Sequence, residues 1–93
     1  MQTIQFEDEQ SVYLVENAIT RECSLIQSGI GITQRNLESF ETKYRMTSEE
    51  FYEKYQKGEA DDDLEIMQWA AEFQALGKLT GDYQKLREVR IVS

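Results

Sequence analysis

Apolar residues recur at steps of three and four along most of this 93-residue chain, which contains no proline. The first series consists of Val12, Val15, Ile19, Cys23 and Ile26. This spacing places the side chains on one face of an α-helix. A chain of this length forms one domain with a core of modest size. The pattern therefore predicts an all-α fold, with a single helical domain over residues 1–93.

Start and stop signals divide the pattern into four helices, predicted at about residues 10–28, 33–45, 48–57 and 62–90. Gly29 and Gly31 predict a break or a bend after the first helix, because glycine is unfavourable in a helix interior. Thr33 is the predicted N-cap of the second helix. Ile32 and Leu37 have the spacing of a hydrophobic staple around that cap.

The third helix has the strongest local signals. Thr47 begins a capping box, in which its hydroxyl caps the backbone amide of Glu50 and the Glu50 carboxylate reaches back. Met46 and Phe51 form the predicted staple around this box. Gly58 follows a lysine at the other end, which is typical of a helix terminus.

The last predicted helix is the longest, and its capping box is Asp62 with Glu65. Gly77 and Gly81 either interrupt this helix or allow another helix to come close, and we favour a continuous helix. At about 29 residues it would extend ~43 Å and would need a partner along its length. That partner is either the first helix folded back as a hairpin or bundle, or a second subunit. We expect a homodimer with its seam at Phe73, Leu76, Leu79, Tyr83 and Leu86.

The two ends of the chain carry short β-prone segments, residues 3–6 and 89–92. Terminal segments commonly fray. Pairing of the two segments with each other is the alternative.

The chain carries 18 acidic and 10 basic residues, a net charge of −8, with no histidine and one cysteine. The missing histidine excludes Ser–His and Cys–His dyads, and one cysteine cannot form an internal disulfide. We therefore expect a cytoplasmic protein that is not an enzyme and needs no cofactor. The negative charge disfavours direct binding to nucleic acid or to a membrane, and it favours a basic protein partner.

An acidic cluster lies between the third and fourth predicted helices. It lacks the glycine that an EF-hand loop needs at its sixth position, so we expect helix capping there and no metal site. Acidic side chains before a helix are also stabilised by the helix dipole. We expect a partner to contact this cluster and two nearby aromatic residues, the full set being Tyr52, Glu59, Asp61, Asp62, Asp63 and Trp69.

The stretch from Tyr44 to Glu59, followed by Asp61–Asp63 and Trp69, resembles the pattern Y-x-M-[ST]-S-E-E-F-x-x-x-[FY]-x-x-G-E, then D-D and E-W. This pattern is found in antitoxin components of prokaryotic type II toxin–antitoxin pairs, whose genes lie beside those of small toxins. The resemblance covers about residues 37–90. Gln68 departs from it, because the pattern has glutamate before the tryptophan.

The resemblance implies a protein that acts by binding and has no catalytic residues. Its expected partner is a cognate toxin, small and basic, of the ribonuclease or nucleotidyltransferase kind. An acidic helical surface would attract such a toxin and cover the surface that binds its substrate. The alternative is a dimeric helical structural or adaptor module with no toxin partner.

Overall fold

The computed structural model describes the backbone of residues 2–5 and 8–92 and the side chains of residues 8–89. Three helices form most of the described chain, which confirms its helical class. In chain order the elements are β1 (Gln2–Gln5), α1 (Glu9–Tyr44), α2 (Ser48–Gln56), α3 (Leu64–Arg87) and β2 (Val89–Val92). None of the described helices combines the length and the apolar character that crossing a membrane requires.

Helix α1 is continuous over 36 residues, so the predicted break at residues 28–31 is wrong. An added Cβ on Gly29 would lie 3.5 Å from Leu79 Cδ1, because α3 packs closely beside α1 at this level. The buried face continues across the glycines, from Ile26 to Leu37. Burial of this face outweighs a propensity cost of about 1 kcal/mol for each glycine.

The predicted cap and staple within α1 are therefore also wrong. Thr33 lies inside the helix and is buried, whereas Ile32 is 51% exposed. The N-cap of α1 is Asp8, whose carboxylate accepts a 2.7 Å hydrogen bond from the backbone amide of Ser11. The helix ends at Arg45, which has a positive φ of 56°.

Helix α2 begins and ends close to the predicted residues. The Thr47 hydroxyl accepts a 3.1 Å hydrogen bond from the backbone amide of Glu50, as the capping box predicts. The Glu50 carboxylate bonds to the Thr47 hydroxyl at 3.2 Å. After the helix, Gly58 adopts a φ of 74°, a conformation that favours glycine.

Helix α3 is continuous through Gly77 and Gly81, as we expected. Its N-cap is Asp63, whose carboxylate accepts a 2.9 Å hydrogen bond from Ile66 N, so the predicted cap at Asp62 is one residue too early. The helix ends at Arg87, before the predicted residue 90, because strand β2 begins at Val89.

The two strands pair in parallel, with Gln2 opposite Val89 and Gln5 opposite Val92. This confirms the alternative in which the end segments pair. Phe6, which belonged to the predicted segment, lies outside the described residues. The α1–α3 hairpin makes this pairing possible, because it returns the chain to the beginning of α1.

Helices α1 and α3 run antiparallel, and α2 covers one end of this hairpin. The protein measures 56 × 22 × 18 Å, with a radius of gyration of 18.1 Å. A compact chain of this length has a radius of gyration of about 12 Å. We call residues 33–75, which contain α2 and the main core, the head. We call residues 8–32 and 76–92 the stem.

Candidate partner-binding site

Trp69 is the centre of the head. Its ring is 3.8 Å from the ring of Phe51, centroid to centroid, and the two planes are parallel within 1°. Phe40 and Tyr44 of α1 also stack on it, at 5.6 and 5.3 Å. Aromatic rings at these distances contribute beyond the area that they bury. Trp69 therefore joins all three helices of the head into one core.

The polar edge of Trp69 is satisfied inside this core. Its indole Nε1 donates a 2.9 Å hydrogen bond to the hydroxyl of Ser48, and both residues are 1% exposed. The backbone amide of Ser48 donates in turn to a carboxylate oxygen of Glu41, at 2.9 Å. The first turn of α2 is thus held to α3 on one side and to α1 on the other.

The acidic turn connects α2 to α3 and lies beside this core. Glu59, Asp61, Asp62 and Asp63 are all exposed. Asp63 caps α3, and its carboxylate therefore already has a partner within the chain. Among residues 8–89, the side chains of Glu59, Asp61 and Asp62 form no ion pair. These three carboxylates are available to an incoming cation.

A hollow of about 210 Å³ opens beside the acidic turn. Its floor is aromatic and aliphatic, and its rim carries two carboxylates of the turn. The rim also carries one cation, Lys54, on the side of α2. The floor residues are Tyr44, Met46, Phe51, Ile66 and Trp69, and the rim carboxylates are Glu59 and Asp61. We call this feature the aromatic hollow.

The chemistry of the hollow suits a positively charged side chain. Aromatic faces attract cations, and carboxylates at the rim pair with them, more strongly as the site loses water. Burial raises the pKa of Tyr44 above its usual value. Its ring therefore remains neutral at physiological pH and presents a neutral aromatic surface.

An ion pair joins α1 to α3 within the head. Lys43 Nζ bonds to both carboxylate oxygens of Glu65, at 2.7 and 2.8 Å. The hydrogen bond to Glu65 raises the pKa of Lys43. Glu65, which we expected to cap α3, therefore links the C-terminal end of α1 to the N-terminal end of α3.

Charge is divided unequally between head and stem. Residues 33–75 hold eleven acidic and five basic residues, a net charge of −6. The stem holds six acidic and five basic residues, a net charge of −1. Among the described residues, no group of three or more histidine, cysteine or acidic side chains is arranged to hold a metal ion.

The predicted contact residues divide into two groups. The four acidic residues of the turn are exposed, but Trp69 is buried, which contradicts a direct contact through its side chain. Trp69 contributes only to the floor of the aromatic hollow. Tyr52 is half-buried against Tyr55 and Phe73, and its hydroxyl accepts a 2.7 Å hydrogen bond from Gln74.

The predicted dimer seam faces α1 of the same chain. Phe73 and Leu76 pack against the core, Leu79 approaches Gly29, and the Tyr83 hydroxyl accepts a 2.8 Å hydrogen bond from Gln27. All five seam residues, including Leu86, are half-buried. Helix α1 therefore occupies this face, as in the alternative in which the first helix folds back. The predicted seam is not a surface left open for a second copy.

Two features of the head escaped the sequence analysis. One is the burial of Ser48, because the capping box predicts only that this residue lies at the start of a helix. The other is the aromatic hollow, whose lining comes from three helices and a turn. Comparison of the chain with protein-family models, with curated proteins and with solved structures gives no match.

Proposed function

We propose that this chain is an antitoxin-like protein that binds and neutralises a small basic toxin through the acidic surface of its head. The observation that carries the proposal is the acidic turn beside the aromatic hollow. A surface of this kind offers carboxylates that steer a cationic partner and pair with it. It also offers an apolar floor for the aliphatic part of a long cationic side chain.

The resemblance to the antitoxin pattern supports a binding role for the same region of the chain. The residues that carry it run from Tyr44 to Trp69, and they build the floor and rim of the hollow. Lysine and arginine side chains on a toxin that binds RNA or nucleotides would be the natural occupants. An antitoxin bound there would compete with the toxin's anionic substrate.

A functional test is co-expression of the chain with the product of the neighbouring gene. We expect that product to arrest growth, the chain to restore growth, and the two proteins to purify together. The variant Asp61→Asn/Asp62→Asn should restore growth less well. Its matched control is Glu16→Gln/Glu22→Gln, which removes two exposed carboxylates of α1 in the stem and gives the same net charge.

Failure of the chain to bind or neutralise that product would contradict the proposal. Equal loss of protection in both double variants would also contradict it, because the effect would then follow net charge and not the acidic turn. If the chain forms a stable dimer yet never binds the neighbouring product, the structural or adaptor module becomes the better description.

A further inference from the structure

The outward face of α3 in the head carries no charge. Charged and polar residues normally cover the solvent side of a helix. In α2, four of the five exposed residues are charged, namely Glu49, Glu50, Glu53 and Lys54. Between residues 64 and 75 of α3, none of the six exposed residues is charged, and they are Leu64, Met67, Gln68, Ala71, Gln74 and Ala75. This part of α3 therefore lacks the charges of a face that remains in water.

Four apolar side chains form a stripe along this face. At 100° per residue they fall within an arc of about 80°, roughly opposite the buried residues Ile66, Trp69 and Ala70. The stripe extends about 17 Å, which is about three helical turns. Its members are Leu64, Met67, Ala71 and Ala75, and we call it the α3 stripe.

The two large members of the α3 stripe lie side by side. Leu64 is 69% exposed and Met67 is 50% exposed, and they are three residues apart on the helix. Among residues 33–75 these are the only large hydrophobic side chains with such exposure. Ala71 and Ala75 are small, so they allow another helix to approach α3 closely. Clustered apolar side chains with polar surroundings mark interaction sites.

The two acidic residues of α3 in this stretch face α1 and not the stripe. Glu65 is bound to Lys43 of α1 at 2.7 Å. Glu72 accepts a 3.3 Å hydrogen bond from the side-chain amide of Asn36, also in α1. The charge that adjoins the stripe therefore comes from another part of the head.

That charge is the acidic turn, which immediately precedes the α3 stripe. Asp62 is two residues before Leu64, so their Cα atoms are within about 7 Å of each other. Asp61 and Asp62 are exposed, and neither forms an ion pair among residues 8–89. An apolar stripe of three turns thus has free carboxylates at one end.

These two features determine the kind of partner that fits. An amphipathic helix with lysine or arginine near one end offers apolar side chains for the stripe and cations for the turn. A second copy of this chain fits poorly. Because the stripe lies in the head, a two-fold contact through it would bring together two heads, each with a net charge of −6.

We propose that the α3 stripe is the docking surface for a basic amphipathic helix of the partner protein, whose cationic end pairs with Asp61 and Asp62. This inference rests on the binding function proposed for the head, and it adds the apolar part of the interface. The acidic turn steers and pairs the partner, whereas Leu64 and Met67 bury apolar surface against it.

The first experiment uses a model helix in place of the partner. The probe is a synthetic peptide of about 18 residues, made of leucine and lysine, with its leucines at steps of three and four. Its control has glutamate in place of every lysine. At about 0.15 M salt we expect the lysine peptide to bind and the glutamate peptide to bind at least about 10-fold more weakly. NMR signals of the Leu64 and Met67 methyl groups should shift most.

The second experiment compares two double variants, each with native helix content by circular dichroism. Leu64→Gln/Met67→Gln should weaken binding of the lysine peptide, and of the product of the neighbouring gene, at least about 10-fold, because apolar burial is lost. The matched control is Leu14→Gln/Leu25→Gln, which changes two leucines of the stem that are 59% and 63% exposed. It should change either affinity less than about 2-fold.

Failure of the lysine peptide to bind, or equal weakening by both double variants, would overturn the α3 stripe as a docking surface. A wild-type dimer that Leu64→Gln/Met67→Gln dissociates would also overturn it, because the occupant would then be a second copy. If the neighbouring product binds but responds only to Asp61→Asn/Asp62→Asn, this inference fails and the proposed function stands. If only the peptide binds, at the stripe, the proposed function fails and the docking surface stands.

Discussion

The indole nitrogen of Trp69 donates a 2.9 Å hydrogen bond to the hydroxyl of Ser48, and both groups are buried in the head. Ser48 lies in the first turn of α2, and Trp69 lies 21 residues later in α3. The acidic turn is the segment that connects these two helices. The bond therefore holds α2 against α3, the two helices that flank the acidic turn.

Replacing Ser48 with alanine should weaken the head. The variant leaves the Trp69 N–H buried without an acceptor, which costs about 1–3 kcal/mol in the free energy of unfolding. Urea denaturation followed by circular dichroism measures this loss. In a Trp69→Phe background, where no indole N–H exists, Ser48→Ala should cost clearly less. Equal costs in the two backgrounds would show that the hydrogen bond contributes little.

Glycine substitutions should have opposite effects in the helix and in the turn. An added Cβ at Gly77 meets no atom within 4 Å, so Gly77→Ala should stabilise the protein by about 1 kcal/mol through helix propensity. Gly58 also has open space but has a φ of 74°, so Gly58→Ala should destabilise by about 1–2 kcal/mol. Thermal unfolding of both variants and of wild type measures the two changes in stability. Because both positions have open space, a difference between the variants reports backbone strain and not steric fit.

Acid should weaken the beginning of α1. The backbone amide of Ser11 donates to Asp8 and lowers the pKa of this carboxyl below its ordinary value of 3.8. Folding therefore favours the charged carboxylate: its contribution is present above about pH 3.8 and is lost as the pH falls through the folded-state pKa. NMR titration of the Asp8 carboxyl measures that pKa directly.

The control for this titration is Asp8→Asn, because asparagine keeps the cap but cannot titrate. Amide exchange in the first turn of α1 should accelerate in acid for wild type and much less for the variant, after correction for intrinsic exchange. A normal pKa for Asp8 would mean that the cap does not depend on its charge.

Local signals predicted local structure well. The capping box at Thr47 and the stop at Gly58 were both confirmed, because each depends on residues within one turn of the helix end. The break expected at Gly29 failed because a helix propensity of about 1 kcal/mol competes there with packing against Leu79, which is 50 residues away in sequence. Such a contact is not visible in the local pattern.

The candidate site was predictable only in its charged part. Four exposed acidic residues before a helix suggest a contact surface by their charge alone. The residue type alone does not decide whether Trp69 is exposed or buried, because tryptophan occurs both in interfaces and in cores. Its burial depends on Phe51, Phe40 and Tyr44 reaching it from two other helices.

The exposure of Leu14 and Leu25 on α1 could not be predicted from the sequence. Leu14 and Leu25 directly precede Val15 and Ile26 of the main apolar series, and the spacing alone does not decide whether they widen the buried face. The structure places Ile26 inside and Leu25 outside, because α3 covers only one side of α1. Which leucines remain exposed follows from how many helices pack around α1.

The most direct test of the proposed function is the affinity of the purified chain for the product of the neighbouring gene, measured by calorimetry for wild type and the two charge-matched double variants. We predict that Asp61→Asn/Asp62→Asn weakens binding at least about 10-fold at 0.15 M salt, and that Glu16→Gln/Glu22→Gln changes it less than about 2-fold. Wild-type binding should also weaken as salt increases. Equal affinities for both double variants, or no binding by wild type, would contradict the acidic head as a toxin-binding surface.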